Sequence, residues 1–279
     1  MVKHFIPDTL VEALEYLNNN DTDIIAGGTD LMVQRRNWAE TPAKFENKVM
    51  YIANLKELNY IKRIDDHLHI GATTPLTDVL NNEDTPKMLK EAIEIMASPA
   101  LRNCATIAGN IGNASPAGDT LPVLYVYEAL VVLETNNKTR ILPIEEIILG
   151  PRKTVIMDNE LITEIIIPLT TFSEILFEKV GGRKADAISK VSFAGGIILK
   201  DNKIRSIRIA YGAVGPTVVR NKTIEQKYTN LTRQELKVNL SDIKMEYSKI
   251  VKPIDDQRSN KEYRKKVAIN LLEKFIESI

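Results

Sequence analysis

At Ile24-Ile25-Ala26-Gly27-Gly28-Thr29-Asp30-Leu31 an apolar run stops at two consecutive glycines, and the rest of the chain has to be arranged around that stop. Asp23 to Ala26 reads as a buried strand after the polar break at Asn18 to Asp21. Asp30 to Arg36 reads as a short helix. Upstream, Thr9-Leu10-Val11-Glu12 has the form of a capping box, with Leu10, Leu14 and Leu17 at helical spacing. The opening is therefore helix, strand, glycine turn, helix. A strand that runs through Gly-Gly into a helix exposes backbone N–H groups at the positive end of the helix dipole, which makes an anion site. Ile24, Ile25, Ala26, Gly27, Gly28, Thr29, Asp30 and Leu31 are its candidates. The same residues also fit a plain strand–helix turn capped by Thr29 or Asp30, and Asp30 is expected to cap its own helix. The sequence contains neither a Walker loop nor a Gly-x-Gly-x-x-Gly fingerprint.

Further along, Val49 to Ile52 reads as a strand, and Tyr60 to Ile64 with Leu68 to Ile70 as a hairpin turning at Asp65-Asp66. Met88, Leu89, Ala92, Ile93 and Met96 mark one face of a helix. Leu121 to Glu128 reads as another helix, followed by a strand pair around Asn136-Asn137 and a strand at Leu161 to Ile167. Pro168-Leu169-Thr170-Thr171 is the best domain boundary. Beyond it, Phe172 to Val180, Val191 to Leu199 and Lys203 to Val214 read as three long strands, the last two joined at Asp201-Asn202. Ser259-Asn260-Lys261-Glu262 caps a final helix carrying Val267, Leu271, Leu272 and Phe275. The class is α+β, in 279 residues that allow one large domain or two.

Charge and cysteine usage narrow the function. Lys plus Arg and Asp plus Glu both number 37, which argues against a general nucleic-acid binder. The one cysteine, Cys104, makes neither an internal disulfide nor an iron–sulfur cluster, and fits a reducing compartment. His67 and His69 have no further ligand at metal-binding spacing and are expected to be ordinary surface residues; no metal site is expected. No apolar signal segment or membrane-length run is present, so a soluble cytoplasmic protein is expected.

The second motif is Thr106-Ile107-Ala108-Gly109-Asn110-Ile111-Gly112-Asn113-Ala114-Ser115-Pro116-Ala117-Gly118-Asp119. It lacks apolar periodicity and reads as a long ordered loop. Three glycines, two asparagines, two hydroxyls and a carboxylate suit a loop wrapped around a polyhydroxylated, phosphorylated ligand. An Ω-type surface loop is the alternative. Asp119 would repel a pyrophosphate, so any ligand contact from it should be to a hydroxyl.

Both loops resemble, in order and separation, those of the FAD-binding subunit of the molybdenum hydroxylases, a family of xanthine, carbon monoxide, aldehyde and nicotinate enzymes. Lys179 to Gly195, Arg208 to Arg220 with Gly212-Ala213-Val214-Gly215-Pro216-Thr217, and Asp255-Asp256-Gln257-Arg258-Ser259 with Tyr263-Arg264 extend the similarity over nearly the whole chain. The resemblance implies an FAD-binding domain of the PCMH type at 1–169, in two α/β subdomains at about 1–55 and 56–169. A smaller domain with a three-stranded sheet and helices would follow at 170–279. It implies FAD as cofactor, with the pyrophosphate on Ile24 to Leu31. Phosphate and ribitol would lie on Thr106, Gly109, Asn110, Ser115 and Asp119, and Lys190 would reach the flavin ring. Ala108 departs from the family's usual glycine.

The resemblance further implies an electron-transfer oxidoreductase subunit without catalytic residues of its own. Its partners would be a molybdopterin-binding large subunit and a 2Fe-2S small subunit, and NAD or another compound would be the acceptor. A stand-alone flavin oxidoreductase and a non-catalytic FAD-binding protein are the alternatives. Nucleic-acid and membrane partners are not expected.

Overall fold

A glycine turn at Gly27-Gly28 and a set of short strands organise the first half of the chain. In the computed structural model, which describes residues 2–184 and 186–279, the elements begin with β1 His4–Phe5, α1 Leu10–Asn19, β2 Thr22–Ile25, α2 Leu31–Gln34 and β3 Lys48–Tyr51. Then come β4 Ile61–Ile64, β5 His67–Gly71, α3 Leu76–Asn81, α4 Lys87–Glu94, α5 Pro99–Arg102, α6 Ile107–Asn113 and α7 Thr120–Tyr127. These are followed by β6 Leu130–Glu134, β7 Thr139–Pro143, α8 Ile144–Ile147, β8 Ile148–Gly150, β9 Lys153–Thr154 and β10 Leu161–Pro168. The last third holds β11 Glu174–Val180, β12 Val191–Lys200, β13 Lys203–Gly212, β14 Val219–Arg220, α9 Lys222–Lys227, α10 Arg233–Val238, α11 Leu240–Ile250 and α12 Lys261–Ser278. Met1 and Ala185, which fall within the expected N- and C-terminal domains, lie outside the described residues.

The chain divides into two compact units. The first takes residues through Thr85, then Ser98–Ala114 and Ala129–Pro168. The second takes Pro86–Ala97, Ser115–Glu128 and Leu169–Ile279. The second unit thus draws two segments, carrying α4 and α7, from ahead of the Pro168–Thr171 boundary.

In the first unit, β1, β3 and β2 form a parallel sheet in that order. Thr9 caps α1 by accepting the Glu12 N–H, and Ala13, Leu14 and Leu17 are buried. The expected capping box closes one residue early, because the Glu12 carboxylate accepts the N–H of Asp8 and not that of Thr9. A second, antiparallel sheet runs β4-β5-β10-β6-β7. Its central strand β10 is buried at every position from Leu161 to Ile167 except Glu164, as a strand paired on both edges and covered on its faces should be.

In the second unit the three long strands pair antiparallel, and the two-residue β14 adds to their edge. The core is aromatic. Phe193 packs against Tyr211 and Phe275, with ring centroids 5.1 and 5.5 Å apart, and Tyr211 packs on Tyr247 at 5.8 Å. Every residue of α7 is buried, so this helix is an interior element with no solvent face.

One expectation fails. Residues 107–113, read from the sequence as loop, form α6. Thr106 caps it by accepting the Gly109 N–H at 2.9 Å, and Ile107, Ala108 and Ile111 supply a short buried face. Two isoleucines among glycines and asparagines are too little apolar signal to show a helical period.

Candidate functional site

The first glycine turn leaves β2 at Ile25 and enters α2 at Leu31. Its two glycines answer different demands. A Cβ on Gly27 would lie 2.0 Å from the Cys104 carbonyl oxygen, so the backbone of residues 104–105 packs where a side chain would be. Gly28 has φ +65°, the left-handed region that L side chains rarely adopt. Among the described residues, the backbone N–H groups of Gly27, Gly28, Thr29 and Asp30 meet no acceptor. Four adjacent donors without acceptors thus lie just ahead of a helix start, the kind of group an anion would need.

Asp30 occupies the N-cap position of α2 without a side-chain capping bond, contrary to expectation. Its backbone is already helical, with φ −112° and ψ −44°, which turns the carboxylate away from the first-turn N–H groups. Asp30 Oδ2 instead accepts from Gln34 Nε2 at 2.7 Å. Gln34 Nε2 also donates to Asn113 Oδ1 at 3.0 Å, at the far end of α6. Arg152 donates to the same Asn113 oxygen at 3.3 Å and lies 3.8 Å from the Asp30 carboxylate. The Arg152 N–H donates to Ala114 O at 3.0 Å. Gln34, Asn113 and Arg152 were not foreseen from the sequence. They are ordinary polar residues whose meeting depends on the fold.

The second motif is divided. Thr106, Gly109 and Asn110 belong to the first unit, with Ser115 and Asp119 in the second. At the start of α6 the N–H groups of Ile107 and Ala108 meet no acceptor among the described residues, whereas Thr106 takes those of Gly109 and Asn110.

In the second unit, Ser115 to Gly118 form a turn, with the Gly118 N–H on Ser115 O at 3.0 Å and the Ala117 N–H on Ser115 Oγ at 3.3 Å. Asp119 follows, 5% exposed. Lys179 Nζ donates to its Oδ2 at 2.7 Å and Ser189 Oγ to its Oδ1 at 2.5 Å, so both carboxylate oxygens have protein partners. Lys179 also donates to Ile95 O at 3.3 Å. Burial pushes the Asp119 carboxyl above its ordinary range, and Lys179 and Ser189 pull it back only in part. Lys190 is elsewhere: its Nζ lies over the Tyr263 ring, 5.4 Å from the centroid.

Lys179 is therefore the buried counter-ion of Asp119, and it was not singled out from the sequence. The signal was available. On β11, Phe177 and Lys179 share a face by the two-residue strand period, and Phe177 is a core residue. A lysine in register with a core phenylalanine needs a buried partner.

The histidines also differ from expectation. Both are half-buried on β5, and His69 Nδ1 lies 3.0 Å from the Glu164 carboxylate, which in turn accepts from Tyr60 at 2.8 Å. A cavity of about 490 Å³ in the second unit, walled by Tyr127, Phe172 and the 169–175 segment, contains none of the expected site residues. No group of metal-ligating side chains occurs among the described residues, and no described helix is long and apolar enough to cross a membrane.

Residues 1–170 match the family described as the FAD binding domain in molybdopterin dehydrogenase, and residues 177–279 match the CO dehydrogenase flavoprotein C-terminal domain. The glyceraldehyde dehydrogenase medium chain of Sulfolobus acidocaldarius is 31% identical over 93% of this chain and 92% of its own. The xanthine dehydrogenase FAD-binding subunit of Escherichia coli O157:H7 is 27% identical over 96% of this chain and 92% of its own. Among solved structures, a chain of the reconstituted CO dehydrogenase from Oligotropha carboxidovorans superposes with a TM-score of 0.89, covering 99% of this chain and 96% of that one. At 22% identity that likeness speaks for the fold.

Proposed function

Since the chain belongs to the FAD-binding subunits of the molybdenum hydroxylases, as an FAD-dependent oxidoreductase subunit, we propose that it is the electron-transfer flavoprotein of a complex with a molybdopterin-binding large subunit and a 2Fe-2S small subunit. What FAD supplies here is a carrier that takes up electrons from the iron–sulfur partner and gives them up to NAD or another acceptor. The chain's own residues bind and orient. The observation that carries the reading is the row of open N–H donors from Gly27 to Asp30, which fits the anionic pyrophosphate of a dinucleotide. Ile24 to Leu31 hold that end. Thr106 at the cap of α6, Gly109 and Asn110 within it, and Ser115 supply hydroxyl and amide groups for phosphate and ribitol, and the Asp119 carboxylate accepts from a ribitol hydroxyl. Lys190 is assigned to the flavin edge and Lys179 to holding Asp119 in place. FAD binding falls to residues 1–169, in subdomains at about 1–55 and 56–169, and the smaller domain to 170–279. The single cysteine supports a cytoplasmic setting.

Purification from the native host tests the reading. The chain should come down with two further subunits, one holding molybdopterin and one holding iron and sulfide, and heat should release FAD and not FMN. The isolated chain should bind FAD yet oxidise no purine or aldehyde. Substrate oxidation by the isolated, metal-free chain would replace this reading with that of a stand-alone flavoenzyme.

A further inference from the structure

The segment Asp255-Asp256-Gln257-Arg258-Ser259 with Tyr263-Arg264 has so far no role. Its residues are mutually engaged at the start of α12. Asp256 accepts the N–H groups of Arg258 and Ser259 at 2.8 and 3.1 Å, Asp255 accepts that of Lys261 at 2.6 Å, and Asn260 caps the helix by accepting that of Tyr263 at 2.8 Å. This local bonding fixes the first turn of α12, from which Arg264 extends inward, 4% exposed. Its Nη2 lies 2.5 Å from Asp256 Oδ1, and its Nη1 donates to the Ala213 carbonyl at 3.2 Å. Neither Nε nor Nη2 has a hydrogen-bond acceptor among the described residues, so Asp256 holds the guanidinium as an ion pair and Nη1 carries its hydrogen bond.

Ala213 is a non-glycine residue at φ +63°, a conformation that L side chains rarely adopt and that its surroundings must impose. In that conformation its N–H donates to Pro116 O at 2.7 Å, in the Ser115–Gly118 turn. The backbone on either side is also held. A Cβ on Gly212 would meet Ser192 Oγ at 2.3 Å and Pro122 Cγ at 3.1 Å, and Val214 O accepts the Lys252 N–H at 3.0 Å. One ion pair and two hydrogen bonds therefore run from Asp256 through Arg264 and Ala213 to the turn.

We propose that Arg264, held by Asp256, is a positioning residue for FAD, fixing Ala213 in the left-handed conformation that sets the Ser115–Gly118 turn. The proposal rests on the reading that this turn contacts FAD. The test uses the full-length chain stripped of FAD and reads three quantities: the FAD dissociation constant, the melting temperature of the apo chain, and the phosphorus NMR shifts of bound FAD. Gly118→Glu tests the reading itself and should weaken FAD binding at least about 100-fold by placing a carboxylate in the turn. Arg264→Gln should weaken it at least about tenfold and move the phosphorus shifts, with Arg264→Lys intermediate and Asp256→Asn about threefold. If Arg264→Gln does not fold, Asp256→Asn decides, since Asp256 is partly exposed. Full affinity and unmoved shifts in the Arg264 and Asp256 variants, with Gly118→Glu impaired, would overturn the positioning role alone. Full affinity in Gly118→Glu would overturn both.

Discussion

A lysine and a glycine carry the sharpest expectations at the scale of single residues. Lys179→Met removes the counter-ion of a carboxylate buried with it, the two side chains being 6% and 7% exposed. Breaking such a pair costs about 3–5 kcal/mol, because the remaining charge stays desolvated. Lys190→Met removes only a contact with the Tyr263 ring, worth about 0.5–1 kcal/mol. Denaturant melts of the two variants should therefore differ severalfold in lost stability, and equal losses would contradict the assignment of Lys179 as the buried counter-ion of Asp119. Lys190→Met should instead lower the flavin midpoint potential if that lysine serves the flavin edge. Gly28→Val places a β-branched side chain at φ +65° with its Cβ 3.1 Å from both Ile25 and Met32 side-chain carbons. The strain is about 1–2 kcal/mol, and bound FAD, read from the visible spectrum, should fall away while the far-ultraviolet dichroism stays native. Full flavin content would reduce the glycine to a plain turn residue.

At the scale of elements, the short helix α6 is held at its start by one hydroxyl. Thr106→Ala removes the acceptor of the Gly109 N–H and should cost about 1 kcal/mol in a urea melt. A loss below a few tenths would mean that packing of Ile107 and Ile111 alone sustains the helix. This element also shows where sequence reasoning stops. Long strands and turns made of Asp-Asn or Asp-Asp were readable in place, as β12, β13 and the β4–β5 hairpin show. The glycine turn at 27–28 was readable as a break between strand and helix. It was not readable that Gly27 makes room for the Cys104 carbonyl, since that partner lies far away in sequence. The Asp30, Gln34, Asn113 and Arg152 contacts were hidden for the same reason. Asp119 was singled out as a site carboxylate, but its buried partner Lys179 was visible only as a phase violation on β11.

Acid should act on the molecule as a whole. Burial alone would raise the carboxyl of Glu160, 2% exposed, but hydrogen bonds from Arg140 and from the Met157 N–H outweigh it and hold the group below its ordinary value of 4.5. Glu128 is likewise lowered: burial opposes, and Arg208, Arg220 and Lys222 outweigh it. A carboxyl whose folded pKa lies below its unfolded one binds fewer protons when folded. Its stabilisation is complete above about pH 5.5 and is lost as pH falls through the folded value. Asp119, raised by burial, works in the opposite sense and loses stabilisation as pH rises. The melting temperature should therefore drop steeply below about pH 4.5, and Glu160→Gln should flatten that drop while costing about 1.5–3 kcal/mol near neutrality. An unaltered acid limb in Glu160→Gln would assign the acid sensitivity to other groups.

The second unit recruits residues 115–128 from well ahead of its main run, which begins at Leu169. That borrowing bears on modularity. A gene fragment cut at residue 170 would encode three long strands and four helices but leave out α7, whose residues are all buried, together with Asp119 and Glu128. Lys179 and Arg208 would then be stranded without Asp119 and Glu128, Arg220 would keep only Glu225, and the fragment should be recovered only as aggregate or as an unfolded chain. Grafting 86–97 and 115–128 back through linkers should restore a cooperative melt. In gene shuffling between such subunits, the exchangeable cassette is therefore not the stretch of sequence after Pro168. It is that stretch together with its two upstream segments, and crossovers that separate them should be lost from any library selected for folding.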